Sequence, residues 1–120
     1  MMKKISVWLF ATTAFLLASG FVDPATFRGT LSEKNAVISY IKQDVKRRYS
    51  AIGMDDPITL RRMEEKNLKS FKRLVRDRDL DPQLLQKVIH TYCAIDMCDY
   101  LTIDRMYHKQ LDASKKSLQW

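Results

Sequence analysis

Asp56-Pro57-Ile58-Thr59-Leu60-Arg61-Arg62-Met63-Glu64-Glu65-Lys66-Asn67-Leu68-Lys69-Ser70-Phe71-Lys72-Arg73-Leu74-Val75-Arg76 reads as one amphipathic helix. Asp56 supplies an acceptor side chain at the cap, and Pro57 stands at the first helical position, where its missing N–H costs nothing. Leu60, Met63, Phe71, Leu74 and Val75 fall on one side with Leu68 at the edge, as a period of 3.6 requires. Asn67 and Glu64 interrupt that face. Both are expected at its rim or in hydrogen bonds to a neighbouring helix, because buried polar groups need partners.

The same logic extends in both directions. Thr30 and Glu33 match a capping box and open a helix from about Leu31 to Ile52, with Val37, Ile41, Val45, Tyr49 and Ile52 inward and Gly53 as its stop. Asp81-Pro82 repeats the Asp-Pro start and predicts a helix to about Tyr92 that buries Leu85, Val88, Ile89 and Tyr92. The two Asp-Pro starts read as one capping solution used twice rather than as a duplication. A fourth helix, from about Asp99 to Asp112, turns Ile103, Met106, Tyr107 and Leu111 inward. With three glycines and three prolines in 120 residues there is little material for hairpins of strands. The expected fold is an all-α bundle of about four helices over residues 31–112, with an irregular arm at 21–30 and a polar tail at 113–120.

The first twenty residues have another character. Lys3 and Lys4 precede an uncharged apolar run, Ile5 to Ala18, closed by Ala18-Ser19-Gly20. That is the pattern of a secretory signal peptide cleaved after Gly20, and the run is shorter than the roughly twenty residues a membrane span needs. A periplasmic protein without a stable membrane anchor is expected. Loss of Lys3 and Lys4 lowers the formal net charge from +7 to +5.

Export makes a Cys93–Cys98 disulfide the first reading of the two cysteines. It would close a short loop between the third and fourth helices and stabilise by roughly 2 kcal/mol. The four residues between them do not match the two-residue spacing of common exchange motifs, and His90 and His108 supply no second ligand cluster for a metal. Glu64 with His90 or His108 could be drawn as a catalytic pair only if the fold brought them together. No Gly-rich phosphate loop or nucleophile elbow occurs, so neither an enzyme nor a cofactor is expected.

Arg62, Lys66, Lys69, Arg73 and Arg76 form the strongest surface pattern, within about 80° of arc opposite the Leu60 and Phe71 face. Such a stripe is either a solvated helix face or a contact for an anionic partner. Without interleaved aromatic residues for base stacking, nucleic acid is the lesser option. Trp120 ends the chain, to pack back on the bundle or to be offered to a partner. The expected partner is another periplasmic protein, and a small-molecule substrate is not expected.

In Gly53-Met54-Asp55-Asp56-Pro57, Thr59-Leu60-Arg61-Arg62-Met63-Glu64-Glu65, Tyr92-Cys93 to Met97-Cys98 and Met106-Tyr107-His108, the chain resembles the small exported KikA-type proteins encoded in conjugation gene clusters of broad-host-range plasmids. The resemblance implies an accessory role beside a type IV secretion or pilus apparatus, with toxicity to some recipient bacteria, and carries over no catalytic residue. A second expectation, from another class, is a periplasmic immunity protein that neutralises a secreted antibacterial toxin.

Overall fold

Every helix begins on a side chain that accepts a hydrogen bond from the first turn. In the computed structural model, which describes Gly20–Trp120, Thr30 and Glu33 form a reciprocal capping box at the start of α1 (Leu31–Ser50). Asp56 accepts from the Thr59 N–H (3.0 Å) at α2 (Pro57–Asp77), and Asp81 from Leu84 N–H (3.1 Å) at α3 (Pro82–Cys93). Asp99 accepts from Thr102 N–H (2.9 Å) at α4 (Tyr100–Ser114). The signal peptide read over residues 1–20 lies outside the described residues except for Gly20.

The four helices pair as two hairpins, α1 with α2 and α3 with α4, and the hairpins meet along α2 and α4. The arm at 21–30 is irregular, but it belongs to the core. Pro24 is buried, and Phe21, Val22, Ala25 and Phe27 pack on the buried cluster. The hydroxyl of fully buried Tyr100 accepts from Val22 N–H (3.0 Å) and donates to Val22 C=O (2.8 Å), while Arg78 donates to the carbonyls of Pro24 and Phe27. Phe21, Tyr40, Phe71 and Tyr100 stack into one aromatic cluster at centroid distances of 4.8–5.6 Å. Burying side chains of this size stabilises by roughly 1.5–3 kcal/mol each, so the arm and the joint between hairpins share one centre of cohesion.

One inner-face assignment fails. Ile52 is 64 % exposed, because α1 stops at Ser50. Gly53 takes φ +73°, and the N–H groups of Gly53 and Met54 turn back to the carbonyls of Ser50 and Tyr49 in a Schellman motif. α3 ends in the same way. Asp96, at φ +60°, donates its N–H to Cys93 C=O, and Met97 donates to Tyr92 C=O.

That coincidence uncovers a duplication in a different register from the two Asp-Pro starts. Displaced by 43 positions, the same residue recurs at Gln43/Gln86, Val45/Val88, Tyr49/Tyr92, Ala51/Ala94, Ile52/Ile95, Met54/Met97, Asp56/Asp99, Thr59/Thr102, Arg62/Arg105, Met63/Met106 and Lys66/Lys109. Backbone geometry follows this register. The C-caps Ala51 and Ala94 have φ/ψ of −63°/−24° and −65°/−22°, and the N-caps Asp56 and Asp99 have −69°/154° and −90°/147°. Asp81, by contrast, sits at −157°/84°. Residues 43–66 and 86–109 therefore share one helix–turn–helix pattern, and the two hairpins built on it are joined through their second helices.

A basic groove along the hairpin joint as candidate functional site

α2 and α4 pack side by side, and basic residues of both line one surface, although Arg62 and Arg76 of the expected stripe do not line it. A groove of about 510 Å³ between them is lined by Lys66, Lys69 and Arg73 of α2 and by Arg105, His108 and Lys109 of α4, with Asp104 and Asp112 as its carboxylates. Lys66, Leu101 and Arg105 also line the neighbouring groove that continues towards the two turns.

The five expected stripe residues are all exposed, and they are not alike. Arg76 makes a bidentate pair with adjacent Asp77 (2.8 and 2.7 Å), and Arg73 stands 3.5 Å from buried Asp104. Those two charges are spent within the fold. Arg62, Lys66 and Lys69 have no carboxylate within 4.0 Å among the described residues, and neither have Arg105 and Lys109. The α2 stripe was visible as a period. Arg105 and Lys109 were missed, and the register that pairs them with Arg62 and Lys66 was the signal that could have found them.

One end of the groove is held by a titratable network. His108 Nε2 lies 2.7 Å from Asp77 Oδ2, and Nδ1 lies 2.9 Å from the Asp104 carbonyl and 2.8 Å from its Oδ1. No donor is directed at that Oδ1. The ring N–H points at the carbonyl instead, and the carboxylate contact is electrostatic. Burial disfavours the charged ring, yet the hydrogen bonds to Asp77 and to the Asp104 backbone, with the Asp104 charge, raise the His108 pKa above its ordinary value against opposing Arg73. The Arg76 and His108 hydrogen bonds outweigh desolvation and hold the Asp77 carboxyl far below the usual carboxylate range. With both nitrogens engaged, the ring ties α4 to the end of α2.

The other expected residues fall elsewhere. Cys93 and Cys98 form a disulfide across the second turn, with Cα atoms 4.2 Å apart. Glu64 pairs with Arg61 (2.8 and 2.7 Å) on the side of α2 facing Lys42 and Lys46, so the fold does not join it to His108, and His90 is exposed. Asn67 is buried, donating to Met63 C=O (2.9 Å) and accepting from Leu101 N–H (3.1 Å), which pins the start of α4 to α2. Trp120 and Leu118 are fully exposed, so the tail does not pack back. Among the described residues no group of three or more His, Cys, Asp or Glu is placed to hold a metal, and no helix is long and apolar enough to cross a membrane.

No protein-family model, curated protein or solved structure matches the chain. What the geometry defines is a small all-α protein of two hairpins that share one helix–turn–helix pattern. It presents cations from both hairpins along one groove, suited to an extended run of negative charge.

Proposed function

We propose that the chain is a non-catalytic periplasmic binding protein, an accessory of conjugative DNA transfer by type IV secretion, which docks an acidic segment of another envelope protein along the α2–α4 groove. The observation that carries the binding role is the convergence of unpaired Lys66, Lys69, Arg105 and Lys109 on one concave surface. Mutual repulsion among them contributes nothing to folding, and an anionic partner offsets it. The disulfide is compatible with an oxidising compartment. The placing in conjugation rests on the KikA-type resemblance, with toxicity to some recipients as an associated property.

The test combines Lys66→Glu, Lys69→Glu and Lys109→Glu and leaves Arg73 in place, since its charge faces buried Asp104. Transfer frequency and recipient survival should fall to those of a gene deletion while the melting temperature stays near that of the parent. Partner capture from the envelope should weaken between low and physiological salt, as exposed charges are screened beyond about 8–10 Å. Normal transfer by the deletion strain, together with lost protection against a secreted cell-wall toxin, would replace this reading with the immunity role.

A further inference from the structure

On the opposite side of α2 from the basic groove, the first hairpin carries a second concavity of different chemistry. Its volume is about 420 Å³, within the roughly 300–1,000 Å³ typical of small-molecule sites. Val37 and Phe71, each 2 % exposed, form the floor, and Ile38, Leu68 and Val75 form the walls. Phe27 closes it from the arm, packed edge-on to Phe71 at 4.9 Å. The remaining lining residues are Lys34 of α1 and Lys72 of α2, both exposed and both without a carboxylate within 4.0 Å among the described residues.

We infer that this groove binds a single-chain anionic amphiphile, a fatty acid of about eight to fourteen carbons whose alkyl chain lies on Val37 and Phe71 and whose carboxylate is held by Lys34 and Lys72. The lining discriminates against an extended peptide. Six apolar side chains and two cations leave a peptide's backbone N–H groups without acceptors. An alkyl chain has no such groups to satisfy, and one terminal carboxylate matches the two cations. The duplication supplies a control within the molecule. Leu111, Lys115 and Leu118 occupy the positions of Leu68, Lys72 and Val75, but α3 begins at Pro82, so Leu80 and Asp81, the counterparts of Val37 and Ile38, precede it and build no opposing wall. Ser114 and Asp77 stand at the positions of Phe71 and Lys34, so the floor and one cation are missing there as well as the wall.

The inference is independent of any acidic protein partner and is tested without one. Saturated fatty acids of eight to fourteen carbons are titrated into the purified protein below their micelle concentrations, with displacement of a fluorescent fatty acid as readout. One-to-one binding is expected, tightening about three- to fourfold per added methylene until the groove is full. The alcohol of equal length should bind at least tenfold more weakly, and Lys34→Glu with Lys72→Glu should weaken the acid at least tenfold while leaving the alcohol unchanged. Equal affinity for acid and alcohol, indifference to the lysine reversals, absence of saturable binding, or association only with anionic vesicles would each overturn the proposal.

Discussion

The two turns of the molecule solve one problem with different residues. Tyr49-Ser50-Ala51-Ile52-Gly53-Met54-Asp55-Asp56 and Tyr92-Cys93-Ala94-Ile95-Asp96-Met97-Cys98-Asp99 both end a helix in a Schellman motif and cap the next with aspartate. In the first turn the left-handed position is glycine, which adopts it freely, and Ser50 donates a hydrogen bond to Asp55 across the loop (3.3 Å). In the second, the positions of Ser50 and Asp55 are Cys93 and Cys98, joined covalently, and the left-handed residue is Asp96. A left-handed non-glycine residue costs on the order of 1 kcal/mol. Its carboxylate takes a bidentate pair from Arg47 (3.0 and 3.2 Å), and its carbonyl takes Arg48 Nη1 (2.9 Å). The same arginines bind buried Asp44, so the second turn is tied to the first hairpin as well as to itself. A duplicated element can thus keep its geometry while exchanging backbone freedom for cross-links.

The largest expected effect comes from leaving the second turn, like the first, without a covalent cross-link. Cys93→Ser with Cys98→Ser removes the disulfide without placing a carboxylate at Cys98, which is 1 % exposed, and should cost about 2 kcal/mol, a fall of roughly 8–16 °C in Tm. Reductant should lower the parent by a similar amount and leave the variant unchanged. Intact mass before and after alkylation first establishes the bond in the native protein. The converse pair, Ser50→Cys with Asp55→Cys, should oxidise spontaneously and raise Tm; failure to oxidise would show that the turns are less alike than their caps.

A smaller effect is expected at the left-handed positions. Nothing lies within 4 Å of a Cβ added at Gly53, so Gly53→Ala measures backbone strain alone and should destabilise by about 1 kcal/mol in urea. Asp96→Gly removes that strain together with the side-chain pair to Arg47, an exposed ion pair worth little by itself, while the Arg48 bond to the backbone carbonyl remains, and should change stability by less than about 0.5 kcal/mol. A cost for Asp96→Gly as large as that for Gly53→Ala would mean that the arginine clamp, rather than the backbone, sets the second turn.

Much of this was legible in the residues and some was not, for physical reasons. Thr30, Asp56 and Asp81 announce their helices because capping is local chemistry, and the inward positions of all four helices follow the 3.6 period. Ile52 continues that period too, but the handedness of Gly53 ends the helix before the pattern does. The arm's place in the core could not be read, since Tyr100 meets Val22 across 78 positions with no periodic signature. The duplication was hidden by its most conspicuous feature: Asp-Pro occurs at Asp56 and Asp81, while the true counterpart of Asp56 is Asp99, followed by tyrosine. Half of the basic groove was lost with it, because Arg105 and Lys109 stand among Asp104, Asp112 and His108 on α4 and form no stripe of their own.

The smallest expected effect separates the second helices of the two copies by pH. Arg61–Glu64 of the first hairpin has no partner that titrates near neutrality, whereas His108, at the position of Glu65, faces Asp77 and Asp104 with Arg73 opposing. Because the folded state raises the His108 pKa, it binds a proton more tightly than the unfolded chain does. The resulting stability is fully present below the unfolded pKa, near 6.5, and is lost as pH rises through the folded value. Asp77 has the opposite sign. Its depressed pKa confers stability above its unfolded value, near 3.9, that is lost only in strong acid. Between pH 6 and 8 the histidine therefore acts alone of the two, and Tm should be higher at pH 6. His108→Gln should flatten that slope, and Glu64→Gln in the first hairpin should leave it intact. A slope that survives in His108→Gln would place the titration outside the groove and leave the two second helices equivalent in charge response.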